Sequence, residues 1–174
     1  MWSLYDPKLS ARHVTDSGQR ILLQVPMRAS ERGLRIVDDD CFVMLTLWSL
    51  LLWERKVGLV ALERLGVDWL LLTRILDQLL TAKADENPVV CYQGVLVHER
   101  TRQPYTGWEF RAHFERLLGQ AEHEALAMVH EYIGSEHLLL AVVRMASSEF
   151  ATVLSKAGIT YERVSKSVRE TLAC

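Results

Sequence analysis

The sequence predicts an all-α protein built from two tandem, pseudo-symmetric four-helix repeats, with a linker or short hairpin between them. Apolar residues recur at helical spacing through most of the chain, and glycines separate the helical segments. The apolar pattern also repeats at an offset of 92 residues, which separates Gly66 from Gly158. At that offset residues 41–80 overlay residues 133–172 without a gap. Because the turns coincide as well as the apolar positions, the pattern favours a true duplication.

Composition restricts the classes of protein that fit. The chain has 174 residues, 49% of them hydrophobic, and a formal net charge of −2. This length allows a proper core without a disulfide or a metal, and the charge offers no general attraction to nucleic acid or to a membrane. The three cysteines are widely spaced and form no C-x-x-C, so we expect a reducing, cytoplasmic location. The start of the chain lacks the pattern of a signal peptide.

These observations divide the chain into four parts. Residues 1–15 form an N-terminal extension, and residues 16–81 form a first, degenerate repeat. Residues 82–105 form a linker, within which Val89 to Val97, around Gln93-Gly94, is predicted to be a hairpin. Residues 106–174 form the second repeat.

The first helix of the first repeat is predicted to begin at a cap on Asp16, with Gln19 reaching back to the backbone. Pro26 lies inside the helical pattern. Because proline removes a backbone hydrogen bond and clashes with the preceding turn, we expect this helix to start late, kink or break near Val25.

The second helix, from Cys41 to Trp53, is apolar nearly all round and follows three aspartates, residues 38–40, that suit a helix N-terminus. Such a helix must be covered on most sides. Either it is the centre of the core, or part of its surface meets another subunit. In the second case the candidate apolar interface is Phe42, Met44, Trp48 and Trp53.

In the second repeat, the capping box Thr106-Gly107-Trp108-Glu109 is predicted to start a long periodic helix. Turns at Gly134 and Gly158 follow, and Thr160 is predicted to cap the last helix. In the first repeat the turn before the Asp68-capped helix lies at Gly66.

The stretch from His130 to Leu140 ends one helix, turns on a glycine and starts another within eleven residues. Gly134 is predicted to take the positive φ just past a helix end, and Ser135 to cap the next helix. Glu136 then lies in a first turn, where the helix dipole favours a carboxylate. A cationic partner could reach it there.

This stretch resembles the I-G-[ST]-E-H-[IL]-L-L motif of the Clp N-terminal (Clp repeat) domain, which stands at the front of the ClpA, ClpC and ClpB unfoldases. Ala157-Gly158-Ile159 resembles the L-G-[IV] turn of that family, and the closing helix is similar as well, at Val164, Val168 and Leu172. The resemblance implies two tandem four-helix repeats that serve as a platform for substrates and adaptor proteins. The first repeat departs from it, because residues 42–45 are apolar where the second repeat has its polar motif.

The resemblance also implies a partner-binding role for Glu136, with Ser135 and His137 beside it, since motif glutamates of some ClpC members help to bind phosphoarginine-tagged proteins. The alternative, a solvated glutamate in a helix first turn, is favoured on capping grounds. His137 is likewise more typical of a helix start or a buried hydrogen bond. The sequence has no G-x-x-x-x-G-K-[ST], so it contains no ATPase motif of that kind.

The other class of function is a small enzyme that uses the His- and Glu-rich second repeat. His123, His130 and His137 follow at spacings of seven, but Ala127 and Gly134 stand where H-E-x-x-H needs its second histidine. There is no G-x-S-x-G either. We therefore predict no catalytic residue, no metal and no cofactor.

The sequence favours a non-catalytic adaptor or regulator of Clp-type ATP-dependent unfolding and proteolysis. Its partner is predicted to be a protein or peptide, with Clp unfoldase and protease subunits among the candidates. A purely structural dimerisation module, which would make the protein a homodimer, is the remaining alternative.

Overall fold

The computed structural model describes residues 13–32, 34, 38–52, 56–83, 89–92, 95–98 and 108–173. These residues form eight helices and four short strands. The first half contains β1 (His13–Val14), α1 (Asp16–Glu31), α2 (Asp39–Leu52), α3 (Val57–Arg64) and α4 (Trp69–Ala82). The remainder contains β2 (Val89–Tyr92), β3 (Val95–His98), α5 (Trp108–Ala127), β4 (Tyr132–Ile133), α6 (Ser135–Met145), α7 (Ser148–Lys156) and α8 (Tyr161–Leu172). The predicted all-α class is confirmed.

The two sets of four helices repeat one another at the predicted offset. Moved along the chain by 92 residues, α3 falls inside the span of α7, and the start of α4 falls on the start of α8. Asp68 caps α4 by accepting a hydrogen bond from the Leu71 N–H. Thr160 caps α8 in the same way, by accepting from the Arg163 N–H, as predicted.

The turns that follow α3 and α7 have the same backbone geometry. Gly66 has φ 72° and Gly158 has φ 78°. In each turn the next residue donates to a carbonyl five residues back, at 3.2 Å from Val67 and at 2.8 Å from Ile159. This is the hydrogen-bond pattern of a Schellman motif, which needs a residue in the left-handed region. Glycine adopts that region without steric cost, and the chain does turn at Gly66 and Gly158, where the sequence predicts turns.

Helices α2 and α6, which both have long runs of buried residues, pack against each other in the middle of the protein. Every residue of α2 from Cys41 to Leu51 is buried, because α1, α4 and α6 surround it. Of the candidate interface, Phe42, Met44 and Trp48 are buried within the chain and are core residues. Trp53 lies outside the described residues. The first alternative for this helix, the centre of the core, is the one observed.

The start of α1 differs from the prediction by one residue. Thr15, not Asp16, is the cap, since its Oγ1 accepts from the Gly18 N–H at 3.2 Å. Gln19 does reach back, and its side chain donates to the carbonyl of Val14 at 2.8 Å. Of the alternatives expected from Pro26, a late start and a break near Val25 are wrong, because α1 begins at Asp16 and continues through the buried Pro26. The core contacts of the buried face of α1 outweigh the roughly 3 kcal/mol that an internal proline costs.

The three aspartates before α2 do form its N-terminus. Asp38 accepts a hydrogen bond from the Cys41 N–H at 2.7 Å, while Asp39 and Asp40 lie in the first turn. Asp40 also accepts from the Ser147 N–H at 3.3 Å. The cluster therefore caps α2 and ties it to the start of α7.

The strands hold two connections in place. β2 and β3 pair antiparallel as the predicted hairpin, with Val89 opposite His98, although Gln93-Gly94 lies outside the described residues. β1 pairs in parallel with β4, with Val14 opposite Ile133, which anchors the end of the predicted extension. α5 begins at Trp108, but the first two residues of its predicted capping box are not described.

No single helix among the described residues is long and apolar enough to cross a membrane. Only α6 and α7 taken together would meet that test of length and composition, and they are bent by 119°.

We expect Gly158→Val to lower the free energy of unfolding by about 1–3 kcal/mol, because a β-branched residue is strained at positive φ. Its new Cβ would also lie 2.8 Å from Nη1 of Arg163. Urea unfolding measures the change. Gly119→Ala is the matched control, since an added Cβ on this helical glycine meets nothing within 4 Å. The control should gain roughly 0.5–1 kcal/mol, and equal losses in both variants would contradict the role assigned to φ.

Candidate functional site

The polar motif of the second repeat lies where β4 ends and α6 begins, but its caps differ from the prediction. Gly134 is the N-cap of α6 with φ −104°, so the positive φ predicted there is wrong. Ser135 is the first residue of the helix and not its cap. The positive φ belongs to Val129 instead, at 59°, because α5 ends in its own turn before the motif.

Position 134 requires glycine because the Glu136 carboxylate approaches it closely, and not because of its backbone angles. A Cβ at this position would lie 2.5 Å from both carboxylate oxygens of Glu136. The Glu136 side chain therefore folds back over Gly134, and any larger residue would displace the carboxylate.

The Glu136 side chain is only 4% exposed, so the alternative of a solvated glutamate is wrong. Its carboxylate lies in the first turn of α6, where the helix dipole stabilises negative charge. Ser135 Oγ lies 3.4 Å from Oε2 of Glu136 and accepts from the Gly58 N–H at 3.2 Å. These bonds connect the carboxylate to the start of α3 in the first repeat.

The start of α3 packs tightly against the start of α6. A Cβ on Gly58 would lie 2.9 Å from the carbonyl oxygen of Ser135. This close contact holds the starts of the two helices together beside the buried Glu136 carboxylate.

His137 is fully buried, and its hydrogen bonds define its protonation. Nδ1 accepts from the Gly134 N–H at 2.9 Å, as the third residue of a helix does in a capping box. The neutral ring therefore carries its proton on Nε2, which donates to Nδ1 of His130 at 2.9 Å. Burial, and then His130, lower the pKa of His137 from 6.5 to about 4.

Two aromatic rings complete what we call the motif cluster: Ser135, Glu136, His137, His130 and Tyr132. His130 stacks on Tyr132 with ring centroids 5.1 Å apart. Burial, and then the charge and hydrogen bond of Glu136, raise the pKa of Tyr132. In the cluster, Ser135 and Tyr132 are bonded to the buried Glu136 carboxylate, and His137 is bonded to His130 beside it.

His130, Glu136 and His137 offer potential metal-ligand atoms within 4.8 Å of one another. A neutral imidazole has one free lone pair, and in His137 the Gly134 N–H takes it. Zinc on Nε2 would have to displace a proton that already bonds His130. The hydrogen bonds of the cluster therefore compete with metal binding, and the predicted absence of a metal stays a prediction.

The third histidine of the series lies elsewhere. His123 is exposed on α5, beside Arg116 and Arg144 in an open groove of about 540 Å³. The spacing of seven brings His130 and His137 together and leaves His123 apart, because α5 ends before His130.

Sequence reasoning missed a second buried carboxylate, Glu124, which is 1% exposed. It accepts from Nε of Arg144 at 3.0 Å, from Tyr161 Oη at 2.7 Å and from the Gln120 amide at 2.9 Å. The Arg144 guanidinium also lies over the Tyr161 ring at 3.8 Å. Glu124 therefore ties α5, α6 and α8 together. Its signal in the sequence is its position, seven residues after Leu117, on the apolar face of α5.

A second open groove, of about 370 Å³, lies between the end of α5 and the end of α8. We call it the α5–α8 groove. Its lining residues are Ala127, Met128, Val129, His130, Arg169, Leu172 and Ala173. His130 therefore belongs both to the motif cluster and to this surface.

Comparison with protein families shows what the second repeat is similar to. The family model described as the Clp repeat (R) N-terminal domain matches residues 109–173. Residues 109–173 are therefore similar to a Clp repeat, over 65 of the 174 residues of the chain. The resemblance inferred from the motif is thus confirmed over α5 to α8, and the match includes both buried carboxylates. No curated protein matches the chain.

The Clp repeat is a protein-interaction domain and not a catalytic one. The motif of the second repeat agrees with that class, because its groups are enclosed and bonded to one another. A substrate has no access to Glu136 or His137 in the observed arrangement.

We expect Glu124→Gln to lower the free energy of unfolding by about 1–3 kcal/mol, since it weakens the charge-assisted bond to Arg144 in a buried site. Chemical denaturation measures the loss. Glu115→Gln is the control on the same helix, because Glu115 forms an exposed pair with Arg111 and should change stability by less than about 0.5 kcal/mol. A comparable loss in the control would contradict the assignment.

We expect stability to fall as the pH drops from about 6.5 towards 4, with His137 responsible for part of the loss. The folded state holds the pKa of His137 at about 4 against 6.5 ordinarily. Between these values the unfolded chain binds the proton and the folded chain does not, so acid favours unfolding, by up to roughly 3 kcal/mol.

His137→Asn tests this effect, because its side-chain oxygen can still accept from the Gly134 N–H but does not titrate. Urea unfolding across this pH range should show a shallower pH dependence in His137→Asn than in the wild type. His123→Gln, which changes an exposed histidine, should keep the wild-type slope. If His137→Asn keeps the wild-type pH dependence of unfolding, His137 is not responsible for the loss of stability in acid.

Proposed function

We propose that this protein is a non-catalytic protein-binding module that acts as an adaptor or regulator of Clp-type ATP-dependent unfolding and proteolysis. The observation that supports the proposal is the match of residues 109–173 to the Clp repeat, a protein-interaction domain. Its partners are Clp substrates, adaptors, or subunits of a Clp unfoldase or protease. The proposed setting is the cytoplasm, in keeping with cysteines that form no disulfide framework.

The burial of the motif cluster favours this proposal over a small enzyme. Catalytic groups must come within hydrogen-bond reach of a substrate. Glu136 and His137 instead form hydrogen bonds with Gly134, Ser135 and His130. We propose that Ser135, Glu136 and His137 serve partner binding by shaping the surface around His130.

Affinity capture tests the function. The full chain is immobilised and exposed to lysate of the source organism, and bound proteins are identified by mass spectrometry. We expect Clp unfoldase or protease subunits among them, and direct binding of the purified subunit should then be measurable by calorimetry. Failure of the folded wild-type chain to bind any Clp component would contradict the proposal.

Glu136→Gln examines the motif within the same experiment. Because the carboxylate is buried, Glu136→Ala is expected to lower stability as well as binding, so the near-isosteric glutamine is the sharper variant. Recovery is normalised to folded protein by circular dichroism. We expect reduced recovery with Glu136→Gln, whereas unchanged recovery would remove the motif from the binding mechanism and leave the function itself standing.

A further inference from the structure

The turn that ends α5 has a valine where the fold elsewhere has glycine. His130 N–H donates to the Ala125 carbonyl at 2.9 Å, and Val129 N–H donates to the Leu126 carbonyl at 3.0 Å. The turns at Gly66 and Gly158 have the same hydrogen-bond spacing and the same positive φ. Val129 has φ 59°, which is a strained conformation for a β-branched residue.

Packing of the Val129 side chain within the protein does not compensate for this backbone strain. It is 90% exposed, so it buries almost no apolar surface. Leu126, on the preceding turn of α5, is also more than half exposed. A strained backbone and an apolar side chain in solvent at the same position favour a role outside folding.

The groove beside Val129 has a distinctive chemistry. Among its lining residues five are apolar, one is His130 and one is Arg169. No carboxylate lines it, and no ion pair joins Arg169 to an acidic group within the described ranges. Among the described residues, the groove therefore presents apolar walls and the guanidinium of Arg169, which forms no ion pair with them.

We propose that the α5–α8 groove docks an extended segment of a partner protein in which an aliphatic side chain stands next to a carboxylate. Val129 and Leu172 contact the aliphatic side chain, and the Arg169 guanidinium binds the carboxylate through charge-assisted hydrogen bonds. This inference rests on the proposed function and names the surface and the partner chemistry.

The groove also gives the buried motif a route to the surface. His130 lines the groove, and its Nδ1 accepts from His137, which Gly134 holds in turn. His137 is thus a positioning residue for His130. The partner need not touch Glu136 or His137 for the motif to affect binding.

Val129→Gly separates this role from a structural one, because its two effects have opposite signs. Glycine relieves the strain at positive φ, so the urea midpoint should rise. It also removes the apolar contact, so binding should weaken about tenfold. Leu70→Ala, at an exposed leucine of α4, is the control and should leave binding unchanged. Equal binding by Val129→Gly and wild type would overturn the proposal.

The probe is a fluorescein-labelled peptide of about nine residues, with two leucines followed by a glutamate between Gly-Ser flanks, measured by fluorescence anisotropy with the full chain. Replacing its glutamate by lysine should abolish binding to wild type and restore it to Arg169→Glu. Arg74→Glu, an exposed charge reversal on α4, should behave as wild type. Equal binding of both peptides to wild type would overturn the assignment of Arg169.

Two further readouts keep the conclusions distinct. Sedimentation that depends on concentration in wild type and not in Val129→Gly would show that a second copy of this chain occupies the groove, and would overturn a separate partner. If the groove variants still capture Clp subunits at the wild-type level, the groove proposal fails and the proposed function stands. If wild type captures none, the proposed function fails whatever the peptide does.

Discussion

The arrangement of this protein depends on a carboxylate buried where α6 begins. Burying a charge is costly unless it is bonded, and the start of a helix is one of the few places in a core that favours an anion. Glu136 meets that condition because Gly134 leaves room for it and Ser135 links it to Gly58. The requirement fixes the position of α3 against α6, and hence of the first repeat against the second.

The two repeats use the same backbone for different purposes. In the first, apolar residues replace the polar motif, and α2 becomes a helix buried on all sides. In the second, the polar motif remains and α6 is held by two carboxylates, Glu136 at its start and Glu124 beside Arg144 near its end. The first repeat therefore contributes a fully apolar helix to the core, whereas the second carries the polar network and the two grooves described above.

His130 belongs both to the motif cluster and to the surface that we propose for partner binding. The motif itself is enclosed, so it acts on the surface only through the residues that it holds. His130 is bonded to His137 on one side and lines the α5–α8 groove on the other. The sequence predicts a binding site at the motif itself. In the arrangement that we propose, the motif instead supports a neighbouring binding surface, and the exposed Val129 marks that surface.

The sequence by itself determined the helical class, the turns at Gly66 and Gly158 and the caps at Asp68 and Thr160, because each of these depends on neighbours within a few residues. It also indicated the duplication, because the turns and the apolar positions of the two repeats coincide at an offset of 92 residues. The resemblance to the Clp repeat followed from residues 133–140, the turn at Gly158 and the apolar pattern of the closing helix, and the spacing within each of these is local too. Local rules failed at Pro26, because packing of the buried helix face outweighed the low helix propensity of proline. They failed again at Gly134, because the buried side chain of Glu136 folds back over this residue and leaves no room for a Cβ. Only the tertiary structure decided that Glu136 and Glu124 are buried, that His130 joins His137 while His123 does not, and that Val129 and Arg169 share a groove. Burial and proximity of this kind arise when helices that are distant in sequence pack together, and no short stretch of sequence contains that information.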